Sequence, residues 1–176
     1  NLKIKENKCI SPPLAACSFS DDPEIQKLGA ELFVNQRFPL DKSLGLINKY
    51  PKNKRIKIGY FSGDFRDHPV AYLVTELFEK HDKSKFELFA FSISDRIESE
   101  TRLRIEKSFD EFFDVANLSD KDVALLAREK KIDIAIDLGG FTKNSRPSIF
   151  SMKVAPIQIN YLGYPGTTGA DYIDYN

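Results

Sequence analysis

The sequence predicts an α/β fold: a Rossmann-like, doubly wound parallel sheet with an N-terminal helical segment. Three observations predict it. From Arg55 onward, β-rich runs alternate with helical patterns of about ten to fifteen residues, the order that builds βαβ units. The 176 residues suffice for one buried core of that kind. At 41% hydrophobic and 30% charged, the composition is that of an ordinary globular chain.

Residues 1 to about 21 show no sustained period, and Ser11-Pro12-Pro13 breaks any helix there. Ser20-Asp21-Asp22-Pro23-Glu24 is a helix start, with an acidic cap, Pro in the first turn and more acid after it. Ile25, Leu28, Leu32 and Phe33 recur at helical spacing to about Gln36, and Pro39 ends the run. Lys49, Lys52, Lys54, Arg55 and Lys57 crowd around Pro51. They read as a solvated linker before a strand, with an anion patch as the alternative. Residues 1–54 are thus a helical segment and linker, and 55–176 the α/β lobe.

In that lobe, Ile56 to Phe61 is the first strand. Residues 69 to 80 form a helix with Leu73, Leu77 and Phe78 inward. Phe86 to Phe91 is the second strand, 98 to 108 a charged helix, and Phe112 to Val115 the third strand. Ser119 caps a helix to Lys131, with Asp122 in its first turn and Val123, Leu126 and Ala127 inward. Ile132 to Leu138 is the fourth strand, Arg146 to Met152 a short helix, and Pro156 to Leu162 the fifth strand. A sixth begins at Asp171-Tyr172-Ile173.

Lys plus Arg equals Asp plus Glu at 26 each, which argues against a dedicated nucleic-acid binder. No run of apolar residues is long enough to span a membrane. Cys9 and Cys17 are too few for a disulfide framework or a zinc site, and read as small apolar residues of a reducing, cytoplasmic setting. The chain opens on Asn1 without a secretory pattern and stops in an apolar run at Asn176, as a fragment of a longer protein would.

Ligands of open parallel sheets bind outside the carboxyl ends of the strands. Three loops fall there. Ser62 to Pro69 carries Asp64 and His68 at a strand-to-helix turn and lacks a dinucleotide fingerprint. His68 reads as a structural residue or as a base that needs no pKa tuning. His81 reads as a surface residue at a helix end. Asp137 to Asn144 holds Gly139, Gly140, Thr142 and Lys143; it is a tight turn or a place of close backbone approach to a ligand. Gly163 to Gly169 holds three glycines, a proline and two threonines, able to cradle an anion or a sugar, without the lysine of a P-loop.

Four stretches carry a resemblance. They are Ile58 to Phe65 with His68-Pro69, Asp133 to Thr142, Ala155-Pro156-Ile157-Gln158, and Leu162 to Gly169. In order and spacing, residues from about 10 to 176 resemble the N-terminal half of the catalytic region of the O-linked N-acetylglucosamine transferase family. That family includes SPINDLY-type protein O-fucosyltransferases and bacterial TPR-linked members. The helix start at Ser20 looks like the segment following the TPR array in those members.

The resemblance implies a GT-B glycosyltransferase, of which this chain is the first lobe, truncated at its C-terminus. It implies a nucleotide-sugar donor, UDP-GlcNAc by the family's pattern, and no metal. The partners implied are a C-terminal lobe, a TPR region and protein acceptors carrying Ser or Thr, with no nucleic acid and no membrane. His68 matches the histidine near the reaction centre, a candidate base. Asp64, Pro69, Gly139, Gly140, Phe141, Thr142, Gly163, Tyr164, Pro165, Gly166 and Thr167 match motif positions around donor and acceptor. Phe141 departs from the His or Tyr of many members. The alternatives are another donor such as GDP-fucose, or a non-catalytic ligand-binding α/β module.

Overall fold

A computed structural model describes residues 11–51 and 54–176 of the chain. Among the described residues two helices come first, α1 (Pro13–Cys17) and α2 (Pro23–Arg37). The lobe follows as β1 (Ile56–Ser62), α3 (Pro69–Lys80), β2 (Phe86–Ser92), α4 (Glu100–Glu106), β3 (Glu111–Asp114), α5 (Asp120–Glu129), β4 (Ile134–Asp137), α6 (Pro147–Ser151) and β5 (Ile157–Asn160). The five strands form one sheet in the order β3-β2-β1-β4-β5, and every pairing is parallel. That is the expected doubly wound α/β architecture. Its order reverses between β1 and β4, where such sheets open a crevice.

Alternation along the strands divides the core in two. Ile58, Tyr60, Leu88 and Ala90 meet Ala71, Val74 and Phe78 of α3 and Ile105 of α4 on one face. Phe61, Phe89, Phe91 and Ala135 meet Val123, Ala124 and Ala127 of α5, Ile149 and Phe150 of α6, and Val34 of α2 on the other. Phe61 and Phe91 are register partners whose rings stack at 4.3 Å, a contact worth about 0.5–1.5 kcal/mol beyond area burial.

The α2 helix starts where the sequence places it. Asp22 Oδ1 accepts from the Glu24 and Ile25 amides at 2.9 and 3.3 Å, a cap worth about 1 kcal/mol. The linker that follows is held rather than free. Arg128 of α5 donates to the carbonyls of Leu44, Gly45, Met152 and Lys153. Arg55 pairs with Asp110 and Glu87, and Lys57 donates to Lys130 O. These two cations therefore serve the fold, where the sequence reads as a solvated linker or an anion patch. Lys52 and Cys9 lie outside the described residues.

Three expectations need correction. The inner face of α3 is Ala71, Val74, Thr75 and Phe78, while Leu73 is 68% exposed and Leu77 40%. Small side chains occupy the row nearest the sheet because the helix packs close to it. The sixth strand is absent: Asp171 and Tyr172 form a turn, and one isolated parallel bridge joins Ile159 to Tyr175. His81 is half-buried, with its Nε2 2.8 Å from the Tyr60 hydroxyl and its ring edge-on to Phe86. Burial and nearby Lys83 hold its pKa below the ordinary imidazole value. Among the described residues, no helix is long and apolar enough to cross a membrane.

Candidate functional site

The three sequence-predicted loops meet at the carboxyl edge of β1, β4 and β5. Glycines mark the junctions. A Cβ on Gly63 would lie 3.0 Å from Asn144 O, and one on Gly140 would lie 2.5 Å from Tyr164 Cβ. The loops thus form one continuous surface over the switch point of the sheet.

The loop after β1 is shaped by its own polar groups. Ser62 Oγ accepts from the Asp64 amide at 3.0 Å, and Asp64 Oδ1 accepts from Arg66 at 2.9 Å. Phe65 turns inward against Phe78, Phe109 and Phe112. His68 has extended backbone and caps α3, with Pro69 in the first turn. Its Nδ1 accepts from the Val70 amide at 3.3 Å and lies 3.7 Å from Asp64 Oδ2. With Nδ1 accepting, the neutral ring carries its proton on Nε2. His68 keeps 34% of its side chain exposed.

The loop after β4 is organised by Asp137. This buried carboxylate accepts from the Gly139 and Gly140 amides at 2.8 and 3.0 Å, with Asn160 Nδ2 at 3.5 Å. Burial pushes its pKa up against the pull of those hydrogen bonds. Thr142 Oγ1 donates to Gly139 O at 2.8 Å, and Ser145 Oγ donates to Thr142 O at 2.7 Å. Phe141 leans away from the loop after β1, packing edge-on against Phe33 and Tyr164 and stacking on Phe38.

The loop after β5 lies on the one before it. A Cβ on Gly163 would sit 1.7 Å from Leu138 O, so only glycine fits. Tyr164 is buried and Pro165 exposed. Gly166 sits beside the Tyr164 hydroxyl and Cys17, and Thr167 Oγ1 accepts from the Gly169 amide at 3.2 Å. These two loops close on each other: the Gly139 and Gly140 amides already have an acceptor, and Gly163 makes room for backbone. Close backbone approach occurs here, but the chain itself is what approaches.

Sequence reasoning missed the groups flanking the first loop. A crevice of about 300 Å³ is lined by Ile93, Ser94, Asp95, Ala116, Asn144, Ser145 and Arg146. Ser94 and Ala116 each fall just past a β-rich run, which is the signal that finds them. Among the described residues, no three His, Cys, Asp or Glu side chains are grouped as metal ligands would be.

Comparison with known proteins sets this geometry in context. The family model described as glycosyl transferase family 41 matches residues 37–176. The chain is 43% identical over 122 residues to a probable UDP-N-acetylglucosamine–peptide N-acetylglucosaminyltransferase, SEC, of Arabidopsis thaliana, covering 69% of this chain and 12% of that protein. It is 35% identical over 124 residues to the UDP-N-acetylglucosamine–peptide N-acetylglucosaminyltransferase of Caenorhabditis elegans, covering 69% and 11%. A solved structure of a mutant O-GlcNAc transferase from Thermobaculum terrenum superposes with a TM-score of 0.80 at 28% identity, over 92% of this chain and 32% of that one.

Proposed function

The chain belongs to glycosyl transferase family 41, and on that premise we propose that it forms the first of two catalytic lobes of a protein O-glycosyltransferase. The reaction we propose moves N-acetylglucosamine from UDP-GlcNAc to Ser or Thr hydroxyls of protein acceptors. The observation that carries this reading is the carboxyl edge of the sheet, where His68 stands partly exposed beside Asp64 on a loop contiguous with the two glycine loops. The small share of its relatives' length that the chain spans supports a longer parent, with the nucleotide held by a second lobe.

In this reading the acceptor oxygen attacks the anomeric carbon as the bond to the diphosphate breaks. The acceptor proton passes to a base, and UDP leaves with its charge met by the other lobe. His68 as capped presents Nε2–H, a donor. To take a proton at Nε2 it exchanges the Val70 amide for Asp64, whose carboxylate then accepts from Nδ1–H and steadies the imidazolium. Thr142, Gly163 and Thr167 belong to the wall of the sugar pocket, and Asp64, Pro69, Gly139, Gly140, Phe141, Tyr164, Pro165 and Gly166 shape it. The mechanism uses no resident metal, and the free Cys17 thiol suits a reducing, cytoplasmic setting.

The test is a turnover assay on the full-length protein with UDP-GlcNAc and protein acceptors, beside the 176-residue chain and a panel including GDP-fucose. Transfer from UDP-GlcNAc by the full-length protein alone is the expected result. Transfer by the isolated chain would refute the two-lobe reading, and transfer only from another donor would replace the sugar.

A further inference from the structure

Arg102 is 1% exposed, the largest fully buried side chain of the described residues, and it is a cation. Burying a guanidinium costs several kcal/mol unless acceptors surround it, roughly the penalty known for any ion. Here they do. Arg102 donates to Glu106 at 2.6 Å, to Ser92 Oγ at 2.9 Å, to Asp114, and to Phe65 O at 3.5 Å, and it lies 4.2 Å over the Phe112 ring. Ser92 ends β2, Asp114 ends β3, and Phe65 belongs to the loop after β1. One side chain therefore ties together the carboxyl ends of three neighbouring strands.

Two hydroxyls reach the same loop. Ser94 Oγ donates to Gly63 O, and Thr101 Oγ1 donates to Asp67 Oδ1, each at 2.5 Å. The held residues are Gly63, Phe65 and Asp67. The chemically equipped residues, Asp64 and His68, fall between and beyond them.

We infer that Ser94, Thr101 and Arg102 are positioning residues for the reaction, holding the loop after β1 at Gly63, Asp67 and Phe65 so that Asp64 and His68 keep a fixed aim. The inference rests on the proposed transferase reading for the reaction, while the grip itself is read from contacts. Ser94 and Thr101 are only half-buried, so removing their hydroxyls opens no core cavity.

The experiment is the double variant Ser94→Ala/Thr101→Val in the full-length protein, with Thr101→Ser as the conservative control. Three quantities are read: the thermal midpoint, deuterium uptake by residues 62–68, and kcat against KM for UDP-GlcNAc. The expected result is an unchanged midpoint, faster uptake in 62–68, a KM unchanged within about twofold, and a kcat lower by about ten- to a hundredfold, the scale of a small misplacement of reacting groups. Thr101→Ser keeps wild-type uptake and kcat. Unchanged uptake, or faster uptake with wild-type kcat, would overturn the inference. If the wild-type protein turns over no sugar nucleotide, the transferase reading fails, and uptake alone still decides whether the hydroxyls grip the loop.

Discussion

After β1, the loop buries Ser62, Gly63 and Phe65 and leaves His68 partly exposed beside Asp64. After β4 and β5, the loops turn on each other: Asp137 faces its own glycines, Tyr164 is buried, and Gly163 lies against the Leu138 carbonyl. The first loop has one glycine and is held by side chains from outside it. The other two have five glycines between them and are held by each other. A glycine-rich loop at the carboxyl edge of a sheet invites a ligand reading, yet here glycine serves contact between two segments of the chain. The partly exposed histidine and its carboxylate neighbour belong to the loop poorest in glycine.

The largest expected effect comes from breaking the closed half. Gly163→Ala puts a methyl group 1.7 Å from Leu138 O, and neither backbone can retreat without unpacking the other. The loss should exceed about 4 kcal/mol, the exceptional end of single substitutions. Chemical denaturation, or failure to accumulate as soluble protein, reads it. A fully stable Gly163→Ala would mean that the two loops are not in contact.

His68→Ala tests the open half and should behave in the opposite way. It removes a cap acceptor, at a cost of about 1 kcal/mol or less. In the full-length protein it should cut transfer by about a hundredfold or more, the scale of a lost general base. A large stability loss with turnover intact would reverse the contrast between the halves.

The smallest effect sharpens the comparison through pH. Burial raises the Asp137 carboxyl above its ordinary value of 3.8. Between those two values the folded chain holds a proton that the unfolded chain has released, so rising pH lowers stability across that window. Asparagine does not titrate there. The stability of Asp137→Asn relative to wild type should therefore climb with pH through the window, whatever the constant cost of exchanging one acceptor for a donor. Urea midpoints taken in steps from about pH 4 to 7 measure it, and a flat difference would show that the hydrogen bonds to the carboxyl offset its burial.

Much of the architecture was legible because strand runs and helix starts are local signals. The run Ile56 to Phe61, the cap at Ser119 and the proline-led start of α3 all stand where the residues put them. What failed was non-local. Leu73 and Leu77 outrank Ala71 and Thr75 in hydrophobicity, but closeness to the sheet selects small residues, and no window of sequence reports that distance. The run at Asp171 has a strand's composition. Its backbone is used otherwise: the carbonyl of Tyr172 accepts from the Gln158 side chain, and Asp174 caps the Gln158 amide. At the site, three loops could be located by their place after strands. That Gly163 makes room for the Leu138 carbonyl, or that Arg102 reaches Phe65 O, depends on which segments fold against each other.

The Tyr172 hydroxyl donates to Phe38 O across 134 positions of sequence, which gives the lobe an order of completion. The Phe33 and Phe38 rings leave the ribosome about a hundred residues or more ahead of Phe141, Tyr164 and Tyr172, which cover that side. At about 5–20 residues per second the wait is roughly ten seconds. Throughout it the first aromatic pair waits without the rings and the hydroxyl that cover it in the folded lobe.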